Sequence, residues 1–339
     1  MAAKVLSIDG GGIKGMIPAK ILTYIETEIR KTNSSYHLEQ SFDLIAGTST
    51  GGIIALGLLS PDKDGNAKFL AGDLLDLYLN KGGQIFETDF FRKLDTLGGL
   101  TDELYGHENI ERLFKEYFDD IRMSDLLKPC LITSYNIFDR CAVFFNSNDV
   151  KKGGDYHNYF VRDLARSTSA APTYFEPAYI KAIDGKTQYP LIDGGVFANN
   201  PSMSAVVEMG KMLTRENEKW SLDLSDIFVL SIGCGVNTQT KKSFPYEKVK
   251  NWGKLSWVAP IIDIMMSASS ETIDYQLRKI FAATGNPDNY LRIQPELRRA
   301  SADMDDTRPE NMEKLQEDAD DFIAKNTELL QRVIQKILQ

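Results

Sequence analysis

The stretch Phe42 to Leu59, FDLIAGTSTGGIIALGLL, is the segment around which the rest of the chain is arranged. A short apolar run, Asp43 to Ala46, predicts a strand, and the apolar residues after Gly52 predict a helix. Between them, Gly47 to Gly51 has the pattern G-x-S-x-G, which predicts a sharp elbow with Ser49 exposed at the carboxyl edge of a sheet. At an average glycine usage of about 7%, the pattern alone would arise by chance about one time in ten. Its position between an apolar strand and an apolar helix favours a nucleophilic serine over a loop without chemistry.

The composition is that of a folded chain with a substantial core. The 339 residues are 42% hydrophobic and 26% charged, and the formal net charge is -9. A net negative charge gives no overall attraction to nucleic acid or to an anionic membrane, so any such contact must be local. We expect no nucleic-acid polymer among the partners.

Cysteine usage and the N-terminus indicate a reducing compartment. The cysteines Cys130, Cys141 and Cys234 form no C-x-x-C pair and are expected to be free thiols. The first residues, MAAKVLSIDGGG, lack the apolar segment of a signal peptide, and no apolar run reaches the roughly 18 residues of a membrane span. We therefore expect a soluble, cytoplasmic protein with no visible signal peptide.

The order of the predicted elements indicates an α/β fold. Strand, loop and helix follow one another twice near the N-terminus, beginning at Ala3 and again at Asp43. Such alternation is typical of a mostly parallel sheet between helices. The β-rich runs Pro129 to Tyr135 and Cys141 to Asn146 predict a hairpin or an adjacent pair of strands.

The C-terminal third is predicted to be mainly helical. Ile227 to Ile232 is the last buried strand that the pattern indicates. After it, apolar periodicity predicts helices over Trp257 to Met266, Glu271 to Phe281 and Met312 to Leu338. Because no repeat or linker is visible, we predict a single domain over residues 1–339, in which residues 1–212 carry the candidate catalytic groups.

A serine becomes a nucleophile only when a neighbouring base takes its proton, and the positions of the histidines limit the choice of base. In the α/β-hydrolase order a histidine follows the serine and the acid, but the last histidine here is His157, after His37 and His107. Asp193 is the better candidate, because Tyr189 to Ile192 predicts a strand, and open α/β sheets bind ligands at the carboxyl ends of their strands. D-G-G is also an ordinary turn, and His107 or His157 stays open as a base in another fold order.

The glycine-rich stretch Asp9 to Gly15, DGGGIKG, predicts a loop between a strand and a helix. Glycine N–H groups at a helix N-terminus can stabilise the oxyanion that forms when an ester carbonyl is attacked. The rival interpretation is a dinucleotide-binding loop, because Gly10, Gly12 and Gly15 also satisfy G-x-G-x-x-G. That motif requires a second strand ending in an acid about 20 residues on, where this chain has the polar stretch Tyr36 to Glu39. The spacing of a P-loop is absent.

These motifs, in this order, resemble the patatin-like phospholipase family and approach the plant patatins. The resemblance rests on DGGGIKG, GTSTG and DGG, and extends to ARSTSAAPTYF at residues 165–175, YLRIQ at residues 290–294 and MDD at residues 304–306. It implies a three-layer α/β/α fold and a Ser-Asp dyad that hydrolyses lipid acyl esters without a metal or another cofactor. Ser49 would be the nucleophile and Asp193 the base, and Gly10, Gly11, Gly12 and Lys14 would form the oxyanion loop. The family often has Arg where Lys14 stands, and the vacuolar plant members carry a signal peptide.

Two segments are candidates for contact with a lipid surface. Lys241 to Trp257 mixes lysines with aromatic residues, which suits a lipid–water interface, although a solvated loop has the same composition. Phe86, Phe90 and Phe91 lie in a glycine-bracketed segment that predicts a lid or a second interfacial contact. If either segment binds anionic lipid, activity on charged vesicles should fall as the salt concentration rises.

The sequence thus predicts a lipid acyl hydrolase that acts on phospholipid or other acyl-lipid substrates, with transient peripheral membrane association. Some bacterial relatives need an activator, and nothing in the sequence identifies one. The alternatives are a non-catalytic lipid- or nucleotide-binding module, and a thioesterase or peptidase on the same elbow.

Overall fold

The computed structural model describes residues 2–86, 106–214, 220, 222–237 and 245–339. The predicted aromatic flap beyond residue 86, with Phe90 and Phe91, lies outside these residues, as do residues 241–244 of the basic segment.

Most strands of the described chain form one sheet, in the order β5-β6-β3-β2-β1-β7-β9, with β4 paired to β3. The short strands β8 and β10 pair with each other. The bounds are β1 Ala3–Ile8, β2 Leu44–Gly47, β3 Cys130–Asn136, β4 Cys141–Asn146, β5 Ala178–Lys181, β6 Gln188–Asp193, β7 Ile227–Ile232, β8 Val236–Asn237, β9 Tyr290–Ile293 and β10 Glu296–Leu297. Strands β3, β2, β1, β7 and β9 run parallel, whereas β4, β5 and β6 join through antiparallel pairs.

Helices cover both faces of this sheet. Their bounds are α1 Met16–Arg30, α2 Thr50–Leu59, α3 Ala71–Phe86, α4 Gly106–Phe118, α5 Ser147–Gly153, α6 Val161–Thr168, α7 Gly195–Ala198, α8 Ser202–Leu213, α9 Tyr246–Val249, α10 Lys254–Ala283, α11 Pro309–Lys325 and α12 Thr327–Leu338. Side chains alternate along β1, so that Leu6 and Ile8 pack with α1, α2 and α3, while Val5 packs with α8 and α10 on the other face. This arrangement confirms the predicted three-layer α/β/α fold with a mostly parallel central sheet.

Strands β2 and β6 share one edge of β3. Strand β4 occupies the other edge along its length, pairing Ile132 with Phe145 and Ser134 with Val143. On the edge that they share, β2 runs parallel to β3 and ends with Gly47 opposite Ile132. Strand β6 runs antiparallel to β3 and ends with Asp193 opposite Ser134. The two strands therefore run towards each other and end two residues apart on β3.

This pairing corrects the reason for expecting Asp193 at the site. The sequence predicts a strand whose carboxyl end lies at the ligand-binding edge of a parallel sheet. Strand β6 is antiparallel to β3. Asp193 reaches that edge because β2 is short and leaves the end of β3 free for β6.

The C-terminal third differs from the prediction in three places. The two helices predicted before residue 282 are one continuous helix, α10. Its polar residues do not interrupt it, because the Ser267 hydroxyl donates to the Asp263 carbonyl one turn back and the Ser270 hydroxyl donates to Asp9. The single long helix predicted at the C-terminus is two, α11 and α12, which meet at Asn326, whose side chain donates to the Phe322 carbonyl. Tyr290–Ile293 forms strand β9 beside β7, so Ile227–Ile232 is not the last buried strand.

Helix α3 runs to Phe86 through two glycines, so Phe86, which the sequence placed in the glycine-bracketed segment, is the last residue of a helix. Gly82 is tolerated in the helix because its Cα faces Ile13, whose Cδ1 would lie 2.8 Å from an added Cβ. None of the helices in the described part of the chain is long and apolar enough to cross a membrane.

Candidate active site

Ser49 occupies a strained elbow between β2 and α2. Its φ of 54° and ψ of -126° lie outside the regions that L-residues favour, and its N–H donates to Thr168 Oγ1 at 2.8 Å. Glycine is required on the C-terminal side, because a Cβ on Gly51 would lie 2.2 Å from the Ile8 carbonyl oxygen. Helix α2 therefore packs directly against the end of β1 and holds Ser49 at the edge of the sheet, with 5% of its surface exposed.

Asp193 is fully buried at the end of β6. Its Oδ1 accepts a hydrogen bond of 2.7 Å from the Gly195 N–H, whereas its Oδ2 has no partner among the described residues. Burial raises the pKa of Asp193 to about 7, although the Ser49 hydroxyl and the Gly195 N–H lower it in part. The Ser49 hydroxyl therefore lies close to this carboxyl group, although Oδ2 makes no hydrogen bond within the described residues.

Ser49 and Asp193 line the same small cavity. Its volume is about 20 Å³, which is room for about one water molecule. The remaining walls are Gly12, Ser169, Ala171, Tyr174, Phe175, Met266, Met304 and Asp305. Apart from Ser49, Asp193, Ser169 and Asp305, these walls are largely apolar, which suits an acyl chain better than a polar substrate.

Two of the amides in the glycine loop are already used by the fold. The Gly10 N–H donates to the Asn199 carbonyl at 3.0 Å, and the Lys14 N–H donates to the Gly11 carbonyl at 3.2 Å. In the described part of the chain, the Gly11 and Gly12 amides donate to no acceptor. Gly12 lines the small cavity, and the amides of Gly10 and Lys14, which the sequence also indicated for the oxyanion loop, already have acceptors.

A buried ion pair holds the start of the glycine loop. Arg292 on β9 donates to both oxygens of Asp9, at 2.7 and 2.5 Å, and to Ser231 Oγ at 2.8 Å. Ser270 on α10 donates to Asp9 Oδ2 at 2.6 Å. Burial opposes the charge on Arg292, but Asp9 outweighs it and raises the pKa of the guanidinium. These partners fix the residue from which the loop begins.

The sequence pattern assigns no role to Arg292, Ser270 or Met304. Arg292 is in the YLRIQ segment, which is part of the family resemblance. A single basic residue in an otherwise apolar strand was the available indication of a buried ion pair. Met304 contributes through its backbone, because its carbonyl accepts from the Ile13 N–H at 2.8 Å beside Gly12. No sequence pattern indicates that contact.

The histidines do not enter the small cavity within the described residues. His157 lies against Tyr156, with ring centroids 3.8 Å apart and ring planes tilted by 39°, and is absent from the residues that line the cavity with Ser49. His107 lies in α4, and its side chain is outside the described part of the chain. Asp193 is therefore the one base candidate that the described residues bring to Ser49.

Comparisons with known proteins show the family to which the chain belongs. Residues 6–206 match the model of the patatin-like phospholipase family. Patatin-like protein 2 of Arabidopsis thaliana is 35% identical, with 95% of this chain and 83% of that protein covered. A Solanum tuberosum protein named "Probable inactive patatin-3-Kuras 1" is 31% identical, with 95% of this chain and 86% of that protein covered. VipD from Legionella pneumophila, a solved structure, matches 95% of this chain and 67% of that chain at 12% identity and a TM-score of 0.32, which is too low to bear on fold or activity. The chain therefore belongs to the patatin-like phospholipase family, and this membership supports lipid acyl hydrolase activity in general terms.

Proposed function

We propose that this protein hydrolyses the acyl esters of lipids, with Ser49 as the nucleophile and Asp193 as the general base. One observation carries the proposal: the strained Ser49 and the buried, unpartnered Oδ2 of Asp193 share a cavity that holds about one water molecule. A relative named as inactive means that membership of the family does not guarantee turnover, so the residues of this chain must decide.

In the acylation step Asp193 Oδ2 takes the hydroxyl proton of Ser49 while Oγ bonds to the ester carbonyl carbon. The carbonyl oxygen becomes an oxyanion, for which the unused Gly11 and Gly12 amides are the donors. The carbon–oxygen bond to the alcohol then breaks, and the departing oxygen receives the proton from Asp193. An alcohol or lysolipid leaves, and the acyl group remains on Ser49.

In the deacylation step water takes the place of the alcohol. Asp193 removes a proton from the water, the hydroxide oxygen bonds to the acyl carbon, and the second oxyanion occupies the same two amides. When the bond to Ser49 Oγ breaks, the proton on Asp193 returns to the serine. The products are a fatty acid and the regenerated enzyme, and each proton is accounted for by Asp193.

Access to Ser49 requires movement of the cavity wall. A space of about 20 Å³ cannot contain an acyl ester, so Met266 on α10 and Met304 must be displaced when substrate binds. Helix α10 is suited to respond to a lipid surface, because Trp257, Ile261 and Met265 recur on one of its faces at a spacing of four. Ile261 and Met265 are 46% and 43% exposed. We assign this face, the apolar face of α10, to transient contact with a membrane.

The structural context gives less support to the nucleotide-binding alternative. Strand β2, next to β1, ends in the Ser49 elbow rather than in an acid, and the Met304 carbonyl accepts the Ile13 N–H beside the glycine loop. A thioesterase would use the same dyad. Ester and thioester substrates with the same acyl chain separate the two activities.

The test is covalent labelling combined with turnover. Wild type, Ser49→Ala and Asp193→Asn are incubated with a long-chain fluorophosphonate, analysed by intact mass, and assayed with a medium-chain p-nitrophenyl ester and with phospholipid vesicles. We expect one label per chain, no label on Ser49→Ala, and losses in turnover of about 10³-fold or more for Ser49→Ala and about 10²- to 10⁴-fold for Asp193→Asn.

Ser35→Ala, the same change at an exposed loop serine, is the matched control. Labelling and turnover that persist in Ser49→Ala would overturn the proposal. Full activity in Asp193→Asn would assign the base to another residue.

A further inference from the structure

A second, larger cavity lies beside the glycine loop. Its volume is about 510 Å³, within the range of small-molecule sites. Gly10, Gly11 and Lys14 line it from one side, and Met266 and Met304 belong to its wall as well as to that of the small cavity. The two cavities are therefore neighbours, with the glycine loop and the two methionines between them.

Several charges at this cavity are already neutralised. Asp9 is paired with Arg292, and Asp274 accepts from Arg278 at 2.9 Å and from the Tyr290 hydroxyl at 3.0 Å. These groups have partners in the fold and offer little to a ligand.

Three other charged side chains that line the cavity have no ion pair or hydrogen bond within the described chain. They are the ammonium of Lys14, on the glycine loop, and the carboxylates of Asp263 and Glu271, both exposed on α10. One cation on the loop thus faces the cavity together with two anions on the helix.

Asn199 adds a buried acceptor to the same cavity. Its side-chain amide donates to the Gly10 carbonyl at 3.2 Å, but Oδ1 has no partner among the described residues, although the residue is only 7% exposed. A buried polar oxygen without a partner is costly, so a ligand that donates a hydrogen bond would be stabilised here.

Resting on the proposed function, we infer that this cavity receives the zwitterionic headgroup of a phospholipid, with its phosphate at Lys14 and its ammonium group towards Asp263 and Glu271. In a glycerophospholipid the phosphate is a few bonds from the scissile ester. Lys14 is two residues from Gly12, whose amide is the proposed oxyanion donor, so the phosphate and the ester of one lipid could contact this loop together. The ammonium lies beyond the phosphate, and α10 carries the carboxylates on another wall of the cavity.

The sign of the unpaired charges favours this headgroup over an anionic one. A zwitterion brings one anion and one cation to one unpaired ammonium and two unpaired carboxylates, whereas a phosphoglycerol headgroup brings an anion without a cation. The rim of the neighbouring cavity is also acidic. Burial, with contributions from Asp305, Asp303 and Asp263, raises the pKa of Tyr174 to about 12.

The experiment is a competition in mixed micelles with a neutral detergent, so that the interface is the same for every lipid. Phosphoethanolamine and phosphoglycerol lipids with distinguishable acyl chains of equal length are present in equal amounts, with the chains also exchanged between headgroups, and the two released fatty acids are quantified. We expect wild type to prefer the zwitterionic lipid by roughly three- to tenfold, because partly solvated charges discriminate modestly.

The variant Asp263→Asn/Glu271→Gln should lose most of this preference. The control is Glu313→Gln/Glu328→Gln, which removes the same charge from two exposed positions of α11 and α12 that do not line the cavity. Lys14→Met should lower turnover of both lipids relative to the p-nitrophenyl ester, because both carry the phosphate.

The two proposals fail in different ways. An equal change of preference in the two double variants, or a wild-type preference for the anionic lipid, would overturn the headgroup assignment while Ser49-dependent turnover of the p-nitrophenyl ester remains. Turnover of both the ester and the lipids by Ser49→Ala would instead overturn the proposed function.

Discussion

At the scale of single residues, two opposing effects set the pKa of Asp193. Complete burial disfavours its charge, and the Ser49 hydroxyl and the Gly195 N–H compensate only in part. A carboxyl group of ordinary pKa would be a weak base towards a serine hydroxyl. Burial makes Asp193 a stronger base, and its pKa of about 7 still leaves an ionised fraction near neutral pH.

The pH dependence of turnover should follow Asp193. The base acts only when deprotonated, so we expect kcat/KM to fall about tenfold per pH unit below pH 7 and to reach a plateau above it. Hydrolysis of the p-nitrophenyl ester is measured after an alkaline quench, which removes the effect of product ionisation. Enzyme held at pH 5 and assayed at pH 8 should recover full activity, as a control for unfolding. A flat profile from pH 5 to pH 8 would contradict the role of Asp193.

At the scale of elements, β9 connects the C-terminal third to the candidate active site. Its Arg292 is opposite Ser231 in β7 and reaches past it to Asp9 at the end of β1. Two donor nitrogens contact two acceptor oxygens, which fixes the carboxylate in orientation as well as position. We propose that this pair sets the course of the glycine loop.

Breaking the buried pair should cost much more stability than breaking an exposed one. Arg292→Gln would leave the Asp9 carboxylate buried without its cation, so we expect the free energy of unfolding to fall by about 3–5 kcal/mol. Arg298→Gln is the matched control, because Arg298 pairs with Glu296 at 2.7 Å while 56% and 48% of the two side chains are exposed, and we expect a loss within about 1 kcal/mol. Urea unfolding followed by circular dichroism measures both. Equal losses would contradict a structural role for the Asp9–Arg292 pair.

At the scale of the whole molecule, the candidate site combines both ends of the chain. Strands β7 and β9 lie in the same sheet as β1, and the glycine loop contacts Met304. We therefore propose that residues 1–339 form one domain, although the candidate dyad of Ser49 and Asp193 lies within residues 1–212. Helix α10 has a cavity-lining face with Asp263 and Ser270, and the apolar face of α10 points elsewhere. Lipid bound to the apolar face of α10 would therefore contact the same helix that lines both cavities.

This arrangement predicts that the apolar face of α10 governs activity on membranes. Ile261→Asp should lower vesicle binding, and the ratio of vesicle to soluble-ester turnover, by about tenfold or more, because a buried Ile side chain contributes about 1.5–3 kcal/mol. Ile280→Asp is the matched control, since Ile280 is on the same helix and 40% exposed, against 46% for Ile261. Co-sedimentation with neutral phospholipid vesicles and fatty acid release are the measurements. An unchanged ratio in Ile261→Asp would assign membrane contact to another surface.

The local pattern was sufficient for much of the fold. The elbow at Ser49, the alternation of β1, α1, β2 and α2, and the hairpin of β3 and β4 follow from apolar periodicity and glycine placement, which act over a few neighbouring residues. The position of a G-x-S-x-G serine between a strand and a helix was enough to identify Ser49 as the candidate nucleophile. The helix boundaries after residue 250 could not be predicted from the pattern. Polar residues such as Ser267 and Ser270 indicated a break between helices, but in the structure they lie inside α10, where they line a cavity and Ser270 binds the buried Asp9 carboxylate.

What the sequence by itself determined is therefore the elements around the Ser49 elbow, the family resemblance and the candidate residues Ser49 and Asp193. Tertiary structure alone decided that β2 and β6 approach along one edge of β3, that Arg292 pairs with Asp9, and that the fold already uses the Gly10 amide. The reason is distance along the chain. Strand pairing and buried ion pairs join groups up to 283 residues apart, and no local pattern records which partner each group will meet.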